Sequence, residues 1–332
     1  MNIRFHPITM TEARHHHHIP QFYLRGFAAS IGKGNYKLTV ANLAAGRFFE
    51  TNPRNVGGER DFNRIEIERQ PPDALEQMLA GFETDVAESI RRIGESRKFE
   101  GDERRNILNL MALLVVRSPR MREHIRKHHE QLMKMMLSLT LVSKQRWEEH
   151  EARMIAEGKG PPPDEPRLTY EEVKEFHKKG KYDILLNRGY HIGLELRTHD
   201  PVLRALAARK WTLYTSDDAT GCFVTTDRPV VLTYCKPMEV PPLYRNSPGF
   251  GMPETEVMFP ITQHMTLVGM FEDGESIVKA NTYIVAHANT KMIHSSFGQV
   301  YMPKRDIPHL GLDLKTYHDQ KFMERYATIA RL

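Results

Sequence analysis

His15-His16-His17-His18-Ile19-Pro20-Gln21-Phe22-Tyr23-Leu24-Arg25-Gly26-Phe27 is the stretch on which the fold turns. The four histidines run without a linker into Phe22, Tyr23, Leu24 and Phe27. Those side chains are too apolar for a free arm, so the segment is native chain and not a detachable affinity tag. It is expected to pack into the protein against strands from the far end of the chain. Working outward, Tyr36 to Leu43 and Arg47 to Glu50 flank Ala44-Ala45-Gly46, a pattern suited to a short hairpin. Asp73, after Pro71-Pro72, suits a helix N-cap, and Leu75, Leu79, Phe82, Val86 and Ile90 follow at three- and four-residue steps. A second helix is expected from an Asp102 cap. Its run from Ile107 to Val116 is apolar almost all round, which marks a central helix, and Pro119 stops it at Arg117-Ser118.

Beyond Pro119 the pattern predicts one long helix from about Met121 through Trp147 toward Ala156. Gly158 to Pro166 forbids both helix and strand and reads as a loop. Further helices are expected from a Thr169 cap and from Asp200-Pro201 to Lys210. Short runs then follow, separated by turn residues: Trp211 to Tyr214, Cys222 to Thr226, Val230 to Tyr234, Glu256 to Phe259 and Met265 to Met270. They read as an antiparallel sheet, and Ala280 to Ile293 as a closing helix. The expectation is an α+β fold in which N- and C-terminal segments form an antiparallel sheet around a large central helical insert. Its parts are 1–72 (signature and hairpin), 73–210 (helical, with the Pro-rich loop at 158–166) and 211–332 (sheet and closing helix).

Several of these blocks resemble one family. His17-His18-Ile19-Pro20-Gln21-Phe22-Tyr23-Leu24-Arg25-Gly26-Phe27 is similar to the signature His-x-x-Pro-x-Phe-Tyr-Leu-Arg-x-Phe of the bacterial and fungal family known as domain of unknown function 4238. Also similar are Lys37 to Val40 with Ala45-Gly46-Arg47, Asn55 to Phe62, Leu79 to Glu83, Arg117-Ser118-Pro119, Trp211 with Phe223 to Val230, and Phe259-Pro260-Ile261. Arg228 stands where the family pattern has Asn, and Ser118 where Thr is common. The resemblance implies shared architecture and candidate positions; it supplies no chemistry.

Composition sets further bounds. The chain has 332 residues, 40% of them hydrophobic, enough for one large domain or two ordinary ones. A net charge of +5 permits a polyanionic partner such as nucleic acid without requiring one. The cysteines, Cys222 and Cys235, lack Cys-x-x-Cys spacing, so reduced thiols are expected and neither a disulfide scaffold nor a zinc ribbon is indicated. With Arg4, Glu12 and Arg14 near the start and no long apolar run, no secretory signal or membrane span is read, and a cytoplasmic location is expected. Walker, dinucleotide and Gly-x-Ser-x-Gly motifs are absent, which removes NTPase, Rossmann dehydrogenase and α/β-hydrolase readings.

Among candidate site residues, His17 holds the signature position, and an imidazole titrates near neutrality. In an extended backbone His15 with His17, or His16 with His18, could face one metal or phosphate, although no third ligand has recognisable spacing nearby. Arg25 and Arg117 offer planar donor forks for phosphate, and Asp227 is a carboxylate held between a strand and a proline. His18, Tyr23 and Arg228 are the expected substrate contacts. Glu83 could pair with an arginine. His124 and His128 lie one turn apart without the Glu of a zinc-protease box, so a basic solvated face is expected there, and Met133, Met135 and Met136 are expected to fill a core or an interface.

These residue types suit a phosphodiester-cleaving enzyme, an RNase or DNase of microbial conflict. In that reading His17 moves a proton, Arg25 and Arg117 stabilise phosphorane charge, and Asp227 orients the histidine or holds a divalent metal, which is compatible but not required. The alternative is a non-catalytic module binding nucleic acid or a partner protein, in which the same polar residues tie the N-terminal segment to the sheet.

Overall fold

The computed structural model describes residues 15–60, 62, 74–160, 167–184, 188–245, 247–272, 274–319 and 321–329. In chain order the amino-terminal part gives β1 (His15–His17), α1 (Gln21–Arg25), β2 (Ala29–Ser30), β3 (Tyr36–Asn42), β4 (Arg47–Thr51) and β5 (Gly58–Arg60). The helical part gives α2 (Ala74–Ser96), α3 (Gly101–Val116), α4 (Pro119–Thr140), α5 (Lys144–Ala156), α6 (Tyr170–Lys179) and α7 (Arg188–Ala207). Then come β6 (Lys210–Thr215), β7 (Thr225–Thr226), β8 (Val231–Tyr234), β9 (Thr255–Thr262), β10 (Met265–Met270) and β11 (Ser276–Lys279). The chain closes with α8 (Thr282–Ser295), β12 (Gln299–Met302), β13 (Ile307–Leu310), β14 (Thr316–Asp319) and α9 (Phe322–Ile329).

The chain is α+β. One five-stranded sheet runs β11-β6-β10-β9-β8; a second runs β2-β3-β12-β7, with β4 added on β3. The second joins amino-terminal β3 to carboxy-terminal β12, Val40 opposite Tyr301 and Asn42 opposite Gln299. Pairing is antiparallel except at β11, which runs parallel to β6. After β10 the chain steps past the end of β6 before reversing, so β11 is antiparallel to β10 and therefore parallel to β6 between them.

Both faces of the first sheet are covered. Along β9, Val257, Phe259 and Ile261 join one apolar cluster with Val86, Ile93, Ile107 and Met111 of α2 and α3. Met258 points the other way, into a cluster with Val285 and Met292 of α8. Two buried faces explain why these strands read as continuous apolar runs. Inside this core lies Arg209, 1% exposed, whose guanidinium donates to the carbonyls of Phe250, Thr255 and Gly269 and to Thr255 Oγ1 at 2.6–3.1 Å. Burial among neutral oxygens lowers its pKa to about 10.

Several boundaries differ from the sequence expectation. The predicted long helix is two helices, because Ser143 adopts an extended conformation and its side chain accepts from Arg146 N, starting α5 afresh. Asp102 is not the cap of α3; Glu100 holds that position and Asp102 lies in the first turn. Helix α7 begins at Arg188 and carries Pro201 inside it. Thr169 forms the expected capping box with Glu172. Asp73, residues 161–166 of the Pro-rich loop and Asp61 lie outside the described residues, as does the Leu75 side chain.

Contacts divide the chain into two compact units, one comprising Pro119–His191 and the other the remainder. Within Pro119–His191, helices α4 and α5 have no buried residue, and polar bonds do much of the tethering: Tyr170 Oη donates to Leu141 O at 3.0 Å, and Ser138 Oγ meets His177 Nε2 at 2.7 Å. Met133, Met135 and Met136 are exposed there, not core filler.

Candidate functional site

The histidine segment is built by a strand and a tight turn. His16 pairs opposite Glu59 and His17 opposite Gly58; alternation buries the His16 ring and leaves His17 half-buried. His18 N and Ile19 N then both donate to Gly57 O, at 2.9 and 3.0 Å. Gly57 has a φ of +68°, and a Cβ there would sit 3.1 Å from that of Ile19, so glycine is needed for conformation and for space. Pro20 then starts α1, which buries Tyr23 and Leu24 and leaves Arg25 exposed.

His17 Nε2 lies 3.2 Å from Arg54 O. A carbonyl only accepts, so Nε2 carries the hydrogen and Nδ1 is the basic nitrogen, facing the Gln21 amide at the long distance of 3.5 Å. The neighbouring His18 ring packs on Phe62 with centroids 5.6 Å apart, and the buried Arg117 guanidinium lies 5.9 Å from the same ring centroid. Arg117 is placed by the end of α3, where its N–H donates to Leu113 O at 2.9 Å. His18 and Arg117 therefore meet at Phe62, whereas His17 turns to Arg54 and Gln21. Arg25 stacks instead on Tyr36, 5.6 Å from its centroid.

The other sequence candidates have structural work. Tyr23 is 1% exposed, its hydroxyl donates to Pro260 O at 2.7 Å and meets Thr225 Oγ1 at 2.7 Å, and its ring stacks on Phe259. Burial holds the phenol well above its ordinary range despite the Thr225 bond. Substrate cannot reach it, which corrects the expected contact. Asp227 accepts from Phe297 N (2.7 Å) through Oδ1 and from Gln299 N (3.0 Å) through Oδ2, bracing the entry to β12. That geometry fits a brace better than a histidine-orienting or metal-holding group. Arg228 lies over Phe297, and its backbone N–H donates to Thr226 Oγ1 at 3.1 Å. Glu83 is half-buried on α2. His124 and His128 are exposed on α4, with Lys127 beside them paired to Glu123; Arg126, on the other side of the helix, is bonded to Glu123 and Glu130.

A second constellation escaped sequence reasoning. Asp218, Cys222 and His264 each bring one ligand-capable atom within 4.8 Å of the other two. Cys222 lies four residues past Asp218 but His264 sits on the distant β9–β10 turn, so no short motif links the three. Both cysteines are free thiols, and burial pushes that of Cys222 up.

The family model described as protein of unknown function (DUF4238) matches residues 15–306. The chain belongs to this family. No curated protein and no solved structure matches it. The matched DUF4238 range opens at the first residue of β1 and takes in both constellations. No helix among the described residues is long and apolar enough to cross a membrane.

Proposed function

We propose that this DUF4238 protein cleaves phosphodiesters at the histidine segment, with His17 as the proton-transferring group. The reading rests on a half-buried imidazole, its Nε2 turned to Arg54 O and its Nδ1 toward the Gln21 amide, adjacent in sequence to His18, which shares the Phe62 ring with the buried Arg117 guanidinium. His17 Nδ1 takes the proton of the attacking hydroxyl or water as its oxygen bonds to phosphorus, and returns that proton to the leaving nucleotide oxygen as its P–O bond breaks. Arg117 supplies a fixed positive field for the developing phosphorane charge, and Arg25, exposed at the end of α1, contacts the phosphate backbone. His18 lines the same edge. A net charge of +5 is compatible with a nucleic-acid substrate.

A second reading, a non-catalytic nucleic-acid- or partner-binding module, draws support from Tyr23 and Asp227, both engaged in holding strands together. Incubating the purified protein with end-labelled RNA and DNA, with and without divalent metal, separates the two. Cleavage products favour the enzyme; retarded but intact nucleic acid favours the module.

A further inference from the structure

The second constellation is held by two turns tied to one another. Past the end of β6, the loop from Ser216 to Cys222 is closed from within. Asp217 N donates to Thr220 Oγ1 at 3.0 Å, Thr220 N donates to Asp217 Oδ1 at 3.0 Å, and Gly221 N donates to Asp217 O at 2.9 Å. Gly221 has a φ of +102°, and a Cβ there would meet Pro308 Cγ at 2.3 Å, so the chain passes this point only as glycine and delivers Cys222 into the interior. Across from the loop, the β9–β10 turn carries His264. Two backbone bonds staple the turn to the loop on either side of Cys222 and Asp218: Ser216 N to His264 O at 2.9 Å, and Phe223 N to Gln263 O at 2.8 Å.

The result is a convergence of unlike donors. His264 Nε2 lies 3.7 Å from Asp218 Oδ1, and its Nδ1 lies 3.4 Å from Ser216 Oγ. Together with Cys222 Sγ, the donor atoms lie within 4.8 Å of one another. Metal–ligand bonds of about 2.0–2.3 Å at tetrahedral angles separate ligand atoms by roughly 3.3–3.8 Å, so the set needs only a small contraction. A histidine with one ring nitrogen toward the ligand set and the other held by an outer hydroxyl has the usual arrangement of a metal-binding imidazole. Exposure is graded: Cys222 is 4% exposed, whereas the Asp218 side chain is 97% exposed, so the carboxylate is free to swing inward.

We propose that Asp218, Cys222 and His264 form a divalent-metal site of the zinc class, with three protein ligands and a fourth position open to solvent. Thiolate and imidazole together select zinc-like ions over magnesium or calcium, which favour all-oxygen shells. Three ligands with an open position is the coordination of water-bearing catalytic zinc, in contrast to the closed four-ligand structural site. This inference is independent of the phosphodiester reading.

Cobalt(II) titration of the metal-stripped full chain tests it, since a thiolate ligand gives a near-ultraviolet charge-transfer band and tetrahedral geometry gives intense visible bands. One equivalent of Co2+ is expected to produce both, and Zn2+ to bleach them. Cys222→Ser should abolish the near-ultraviolet band, while Cys235→Ser leaves it intact. Ser216→Ala should weaken affinity by about 10–100-fold, the usual cost of losing an outer-shell partner. Asp218→Asn, at an exposed position that does not threaten folding, should weaken it at least as much. A wild-type chain with no thiolate band, a band that survives in Cys222→Ser, or affinity unchanged in Asp218→Asn would overturn the proposal.

Discussion

Helix α1 has five residues and two of them are fully buried; helix α4 has 22 residues and none is buried. The short helix is pinned by Tyr23 to Pro260 and Thr225, more than 200 positions away in the chain. The long one is laced by surface pairs such as Arg126 with Glu123 and Lys134 with Glu130, and leaves Met135, Met136 and Leu139 more than half exposed. Length and amphipathic texture therefore do not measure a segment's share of the core. What matters is whether its apolar side chains find partners that are distant in sequence, and exposed ion pairs contribute little by comparison.

Removing the amino terminus should damage the fold most. Deleting residues 1–30 removes Ile19, Tyr23, Leu24 and Phe27 from one cluster and should leave no cooperative thermal transition, since the loss exceeds the roughly 5–15 kcal/mol that holds a domain together. A truncated chain melting near the intact temperature would make the segment dispensable. Next in size, Phe27→Ala should cost about 3–5 kcal/mol in urea unfolding. The same truncation at Met136 or Leu139 should stay within about 0.5 kcal/mol. Equal costs at the two sites would erase the distinction. Smaller again, Tyr23→Phe and Asp227→Ala should each cost about 1–3 kcal/mol, because each leaves buried or partly buried backbone groups without their partners. If Asp227→Ala instead leaves stability untouched and abolishes activity, the bracing role assigned to it is wrong.

Acid should destabilise the protein in two stages. His309 is buried, its Nδ1–H donating to Ile307 O and its Nε2 accepting from Arg325, and desolvation lowers its pKa; burial does the same for His294. The unfolded chain then binds more protons than the folded one below the ordinary histidine value of about 6.5, so this stability is complete above that pH and is lost as pH falls through it. A further loss is expected at lower pH, as Asp319, held down to about 2 by Arg325, is protonated. Melting temperatures measured from pH 8 to pH 3 should fall in these two stages, and His309→Gln should flatten the first.

Much of the architecture was legible in the sequence for reasons these regions make concrete. Period-two and near-continuous apolar runs marked β3, β6, β8, β9 and β10, and the all-round apolar face of α3 marked a central helix, because both patterns record burial directly. The break at Ser143 was not legible, since a serine inside an amphipathic run signals a cap only once its backbone is known to be extended. Site residues were harder. Tyr23 and Asp227 read in sequence as chemical candidates, yet both bond backbone groups far along the chain, which no residue type announces. Asp218, Cys222 and His264 are assembled by two backbone staples between distant turns, and Arg209, buried among carbonyls, reads in sequence as one more helix-end cation.

On the phosphodiester proposal, the segment that anchors the fold also carries the reactive His17. Cleavage rate and melting temperature measured together on wild type and His17→Ala test it most directly. Cleavage of labelled RNA or DNA is expected to drop by about 100- to 10,000-fold in His17→Ala while the melting temperature moves little. A wild type that cleaves neither nucleic acid, or a variant that cleaves at the wild-type rate, would contradict it.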